Sequence, residues 1–264
     1  MKCTNPFLLE PQHIWVACGK CIACRINRTD EWATRLMDEY KTWPSSSFVT
    51  LTYDNEHYPE DESLSKKELQ NYIKRLRKNS GKKLKYFACG EYGEKHGRAH
   101  YHAILFGMDI IADNDDIIRS WQGKGNIDIG TVTFKSCRYV AKYVYKKYNG
   151  VMKQEVYGDK ESPFKISSQG LGLDVALEYG DELKDHLYMI RDGRRIALPR
   201  YYRKKLQIEA DAYKDIITDY QTKLSKHYAE KKLSGKYKIN YIYKLNKQRN
   251  EEYKTKMHRS ENNK

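Results

Sequence analysis

In the stretch "RAHYHAILF", residues 98–106, two imidazoles stand two residues apart, His100 and His102, in a run that otherwise reads as a buried strand. Residues i and i+2 of a strand share one face and lie roughly 6–7 Å apart along the backbone, so both rings can converge on one ion. Tyr101 between them then turns to the other side. If "GEKHG" turns a hairpin, Glu91 returns beside His100, and two imidazoles with one carboxylate make a three-point metal site with positions open for water or phosphate. Eight histidines in one chain also meet this spacing by accident, and the competing reading is two polar residues on a solvated sheet face.

A second group with chemical potential lies in "KSCRYVAKYVYKKY", residues 135–148, which is helical by period. At about 100° per residue, Tyr139, Lys142, Tyr143 and Lys146 fall on one side, and Cys137, Val140, Ala141, Val144 and Tyr148 on the core side. One face thus presents two phenols and two ammoniums, and the cations can hold a phosphate or favour a phenolate. The 23 tyrosines supply one other i,i+4 pair, Tyr237 and Tyr241, with only Lys244 for company. Ordinary amphipathic decoration is the competing reading for both pairs.

Cys18, Cys21 and Cys24 form C-x2-C-x2-C, a pattern seldom met by accident with six cysteines. Tetrahedral zinc needs a fourth ligand, for which Cys3 is the candidate, with His13 behind it. An iron–sulfur cluster is disfavoured, because Arg28 stands where the bacterial run would want another cysteine. Two readings remain: a zinc ion bracing the N-terminus outside the chemistry, or a reduced thiol cluster with no metal.

The elements that must position these groups are legible in part. Trp32, Leu36 and Tyr40 are at helical spacing in residues 28–43, with Thr29 or Asp30 as N-cap. "SFVTLTY", residues 47–53, alternates as a strand does. Ser65 and Glu68 make a capping box, Leu69, Ile73 and Leu76 share one helix face, and Gly81 ends that helix. "KLKYFACGEY" and "RAHYHAILFG" pair as a hairpin, followed by a short helix around residues 113–121 and a strand near "NIDIGTVTF". Residues 151–199 mix turns and short strands and yield no functional reading. From residue 200 the chain is charged and helix-favouring, with Gly235 as a break. The order implies an α+β fold with a central, largely antiparallel sheet flanked by helices and a basic helical C-terminal tail.

Charge narrows the partners. The chain carries a net +14, of which residues 200–264 hold +10 together with nine tyrosines, a combination suited to a phosphate backbone and unstacked bases, or else to a solvated helix. Mean hydropathy is −0.88. No apolar run approaches the roughly 20 residues of a membrane span, and the start "MKCTNPFLLE" lacks the layout of a secretory signal. A cytoplasm is therefore expected, where thiols and metal ligands outnumber disulfides.

"FVTLTY" (48–53), "GEYGEKHGRAHYHAILF" (90–106) and "YVAKYV" (139–144), in this order, resemble the HUH endonucleases of rolling-circle replication. "CGKCIACR", "EWATRL" and "LPRYYRKKL" are similar to the replication initiation proteins of microviruses, in their gokushovirus branch. The resemblance implies an RRM-like HUH core over residues 28–199, after a Cys-rich segment 1–27 and before the basic region 200–264. It implies a site-specific nickase and strand transferase in which Glu91, His100 and His102 hold Mg2+ or Mn2+. Tyr139 or Tyr143, in alternation, attacks the scissile phosphate of single-stranded or melted origin DNA. The products are a 5′-phosphotyrosine and a free 3′-hydroxyl, and a second attack later seals the circle. Lys142 positions the phosphate and steadies developing charge. No G-x-x-x-x-G-K-[ST] pattern is present, so a host helicase opens the duplex and a host polymerase extends the 3′ end, in the bacterial cytoplasm and away from the membrane.

Two other readings compete. One is a plasmid- or transposon-type HUH nickase, although conjugative relaxases usually place the tyrosine before the histidines and single-tyrosine transposases are usually shorter. The other is a non-catalytic basic DNA-binding module in which the tail and a zinc knuckle act alone.

Overall fold

Alternation along the strands builds a five-stranded antiparallel sheet covered on both faces. A computed structural model describes every residue except 1–2, 10–13, 94–95, 147–154, 214–221, 223–225, 227–243 and 256–264. In chain order come β1 (Phe7–Leu9), β2 (Ile14–Val16), α1 (Ile22–Lys41), β3 (Ser46–Thr52), α2 (Lys66–Ser80), β4 (Lys85–Tyr92) and β5 (Ala99–Phe106). They are followed by α3 (Asn114–Arg119), β6 (Ile127–Thr131), α4 (Phe134–Lys146), β7 (Phe164–Ser167), β8 (Tyr188–Arg191) and β9 (Arg194–Ala197), with further short helices between β7 and β8 and after β9. Two compact units result, Thr29–Gly180 and the combined segments Met1–Arg28 and Asp181–Lys264.

The central sheet has the order β6-β3-β5-β4-β7. On one face Val49, Leu51, Tyr101, Ala103 and Leu105 pack with Leu69, Tyr72, Ile73 and Leu76 of α2 and with Ile117 and Trp121. On the other, Phe87, Cys89, Ile104 and Phe106 pack with Ala33 and Leu36 of α1 and with Cys137, Val140 and Tyr143 of α4. The second face also holds Glu91, His100 and His102 by the parity of their strands. The α+β class and the antiparallel sheet expected from the sequence are therefore what the chain adopts.

Capping chemistry sets α2. Ser65 accepts a hydrogen bond from the Glu68 amide, and Gly81, left-handed at φ 63, returns its amide to the Arg77 carbonyl. The reciprocal half of the capping box is absent: the Ser65 amide donates instead to the Tyr101 hydroxyl at 2.9 Å, and the Glu68 carboxylate pairs with Arg75 and Lys124. Ser65→Ala is expected to lower unfolding free energy by about 1 kcal/mol, read as a shifted urea midpoint at unchanged slope.

The first long helix corrects the sequence reading. It starts at Ile22 rather than at residue 28, because "IACRIN" contains no helix breaker and the turn that stops it is Gly19, at φ 72. Thr29 and Asp30 are accordingly helical residues and not caps, and Asp30 pairs with Arg138 at 2.7 Å. The helix's far end is held by Glu39, fully buried, whose carboxylate accepts from Trp43 Nε1 and the Gly172 amide and pairs with Lys85. A buried carboxylate is tolerable only with its lone pairs met in this way.

The stretch without a functional reading contains the β8–β9 hairpin, closed by Asp192 and Gly193 at φ 49 and 70. Of the basic C-terminal region, Arg200–Lys205 and residues 244–255 are helical. His13, Tyr148, Gly235, Tyr237 and Tyr241, and the side chains of Val144 and Lys146, lie outside the described residues. No helix among the described residues is long and apolar enough to cross a membrane.

Candidate active site

The β4–β5 hairpin sets Glu91 directly opposite His100 and Cys89 opposite His102 in the antiparallel register. Gly90 makes the local geometry workable, since a Cβ there would stand 2.9 Å from the Phe164 ring, which closes the opposite face of the sheet between Cys89 and Glu91. The Nε2 atoms of His100 and His102 each lie 3.0 Å from Oε1 of Glu91. The ligand atoms of the three side chains fall within 4.8 Å of one another. Glu91 and His102 are each only 4% exposed, so the solvated-face reading of the pair is excluded.

The remaining ring nitrogens are held from behind. His100 Nδ1–H donates to the Arg98 carbonyl at 3.1 Å, and His102 Nδ1 lies 3.0 Å from Thr50 Oγ1. A carbonyl only accepts, so Nδ1 of His100 carries the proton and Nε2 is the nitrogen turned toward Glu91. That lone pair and the carboxylate oxygen repel unless positive charge lies between them, as a proton or as a divalent cation. The donor set of two imidazoles and one carboxylate fits a divalent metal cation.

Burial raises the Glu91 pKa, but the hydrogen bonds from His100 and His102 more than reverse this and hold the carboxyl below its usual range. Arg98, which orients His100, is fixed over the Tyr58 ring at 4.2 Å and donates to the Tyr53 and Asp54 carbonyls. Phe48 stacks on His102 with centroids 5.8 Å apart.

Helix α4 brings the tyrosines onto this cluster. The Tyr139 hydroxyl donates to Glu91 Oε1 at 3.4 Å, and its ring meets His102 edge-on at 5.0 Å. Tyr143 stacks on the same imidazole at 5.9 Å and is 3% exposed, while Tyr139 is half-buried. The Lys142 ammonium lies 4.9 and 5.1 Å from the two phenol rings. Burial first, and the Glu91 charge second, push both phenols well above their ordinary pKa. Phenolate here therefore requires the carboxylate's charge to be countered.

The face read as presenting two phenols is in fact turned onto the sheet. At 100° per residue Tyr143 sits only about 60° from Val140, so its ring folds under the apolar stripe instead of standing off it. Thr50, Arg98 and Phe48 were missed as site residues. Parity alone could have flagged Phe48 and Thr50 once β3 was paired with β5, since Thr50 is the register partner of His102.

The four N-terminal cysteines form a separate group in the other unit, with sulfurs also within 4.8 Å of one another.

Residues 46–148, which contain Glu91, His100, His102, Tyr139, Lys142 and Tyr143, match the family model of the replication-associated ORF2/gene-2 proteins. The chain is 30% identical over 234 residues to the replication-associated protein ORF4 of Chlamydia phage 1, a match covering 79% of this chain and 58% of that protein. It is 31% identical over 208 residues to the replication-associated protein VP4 of Bdellovibrio phage phiMH2K, covering 70% and 65% respectively. Against the replication-associated protein ORF2 of Spiroplasma virus 4 the figures are 28% over 239 residues, 80% and 74%. The matches thus span less than two thirds of the first two relatives. No solved structure matches the chain.

Proposed function

We propose that the protein, whose residues 46–148 match the family model of the replication-associated ORF2/gene-2 proteins, belongs with them and initiates rolling-circle replication by nicking and rejoining single-stranded origin DNA. The observation that carries the reading is the convergence of Glu91, His100 and His102 beneath the Tyr139 hydroxyl, 3.4 Å from Glu91 Oε1. The names of three phage relatives support the replication role.

Glu91 Oε1 and the Nε2 atoms of His100 and His102 would hold a divalent cation, which when bound supplies Lewis-acid polarisation of the scissile phosphate. Tyr139 Oη attacks phosphorus in line, the Oη–P bond forms, the P–O3′ bond breaks, and the phenolic proton leaves as the 3′ oxygen gains one. Lys142, beside both rings, favours the phenolate and steadies charge on the phosphoryl oxygens. One phosphodiester is exchanged for another, so the reverse attack by a 3′-hydroxyl seals the strand without ATP. Tyr143 serves the second round, after its ring leaves its packing on His102. The basic C-terminal region binds the phosphate backbone. A host helicase and polymerase act with the protein, and the bacterial cytoplasm is its place of action.

The test is a labelled single-stranded oligonucleotide carrying a candidate origin, incubated with protein and Mn2+ and run on a denaturing gel. A metal-dependent adduct that survives denaturation is expected. Salt-sensitive binding with no adduct across origin candidates would instead favour the non-catalytic DNA-binding module.

Support behind the ligands has its own expected effect. Thr50→Val removes the partner of His102 Nδ1 with little change in shape, and it should weaken Mn2+ binding by about 10- to 100-fold in calorimetric titration.

A further inference from the structure

Outside the nicking site, the most organised set of reactive side chains is the thiol group at the chain's start. Cys18-Gly19-Lys20-Cys21 forms a tight turn with Gly19 left-handed; Cys21 immediately precedes α1, and Cys24 lies in its first turn. Cys3 reaches the same point from the segment before β1, with its sulfur 3.5 Å from that of Cys18 and 3.8 Å from that of Cys21. A zinc ion with Zn–S bonds of about 2.3 Å in tetrahedral geometry holds its sulfurs about 3.8 Å apart, close to the two Cys3 separations, and all four sulfurs lie within 4.8 Å of one another.

Backbone amides converge on two of the sulfurs. The Cys18 amide points at Cys3 Sγ at 3.3 Å, and the Lys20 and Cys21 amides both point at Cys18 Sγ, at 3.4 and 3.3 Å. A thiol sulfur is a weak acceptor, whereas a thiolate rewards two converging N–H groups. All six cysteines are free of disulfides. The sulfurs are also too close for a multi-iron cluster, whose cysteines must stand around a larger body.

Cys3 is followed by Thr4, which is tied to the helical stretch 244–255. Thr4 Oγ1 donates to Asn250 Oδ1 at 3.1 Å, and Asn246 Nδ2 donates to the Thr4 carbonyl at 3.0 Å. Ala23 and Ile26 of α1 pack with Tyr253 of the same stretch.

We propose that Cys3, Cys18, Cys21 and Cys24 bind one zinc ion as a tetrathiolate that fastens the start of the chain to α1 and to residues 244–255. The role is structural: four protein ligands leave no open position for substrate.

Elemental analysis of the full chain, purified under reducing conditions without chelator, tests it. One zinc per chain is expected, falling to about a tenth or less in Cys18→Ser and Cys21→Ser, and unchanged in His102→Ala, which separates this site from the nicking centre. Replacement of the metal by Co2+ in the unmutated protein should give sulfur-to-cobalt charge-transfer bands and the intense visible bands of a tetrahedral thiolate site, a readout that does not depend on variants folding. Hydrogen exchange after zinc removal should show residues 3–9 and 244–255 losing protection together. A zinc-free protein, zinc that follows His102, an iron chromophore, or an intact mass showing a disulfide among these cysteines would each overturn the proposal.

Discussion

Tyr139→Phe should eliminate the covalent protein–DNA adduct expected of the proposed reaction, a loss of about 10³-fold or more, whereas Tyr143→Phe should retain it. The asymmetry follows from the two environments. Tyr139 is half-buried, with its hydroxyl on Glu91 Oε1, where an incoming phosphate would sit. Tyr143 is 3% exposed and occupied in stacking on His102. Its loss should slow the first cut only through looser support of that imidazole, and its own chemistry should show in circle closure. Quenched-flow nicking for the first step and a joining assay for the second separate these effects. An adduct at full yield in Tyr139→Phe would return the two tyrosines to equal standing, and closure left intact in Tyr143→Phe would argue for a one-tyrosine scheme.

Glu91→Gln should lower the nicking rate by about 10²- to 10⁴-fold, the several kcal/mol of transition-state charge stabilisation that a bound cation contributes. The amide keeps the shape but loses the charge that both imidazoles share. Cation dependence should collapse with it, read as a rate that no longer responds to Mn2+. In the unmutated protein, nicking should fall on the acid side, because protons compete for the same Nε2 lone pairs that ligation needs. Glu91 is held below the ordinary carboxylate range, so protonation of its carboxyl does not set that limb. The same depressed value means that Glu91 stabilises the metal-free fold at neutral pH and that this contribution is lost as pH falls through it. A rate unchanged by Glu91→Gln would remove the cluster from the chemistry.

Much of this site was legible because strands obey a short period. His100, His102 and Glu91 could be brought together from alternation and one turn, and the register of β4 with β5 bears that out. The tyrosines were readable as residues but not in their burial, because a long ring at the border of an apolar stripe goes where the neighbouring sheet leaves room. Thr50 was passed over for another reason: threonine is common in strands because its branched side chain suits a pleated surface, and its pairing with His102 emerges only once β3 is set beside β5, across 52 positions of chain. The start of α1 was misplaced because Thr29 and Asp30 offered cap chemistry just ahead of the Trp32, Leu36 and Tyr40 spacing, whereas the helix begins at Ile22 and runs through them. The β8–β9 hairpin carried a readable Asp-Gly signal that went unused.

The two-faced sheet has a consequence for how such a protein can change. Glu91, the histidines and the tyrosines all belong to the face under α1 and α4, while α2, α3 and Trp121 fill the opposite face. The sheet is a partition wall, with thermal tolerance adjustable on one side and the candidate site on the other. A lineage, or an engineer, can therefore repack Tyr72, Ile73 and Trp121 for a higher working temperature while the grouping of Glu91 with the histidines and tyrosines stays where it was.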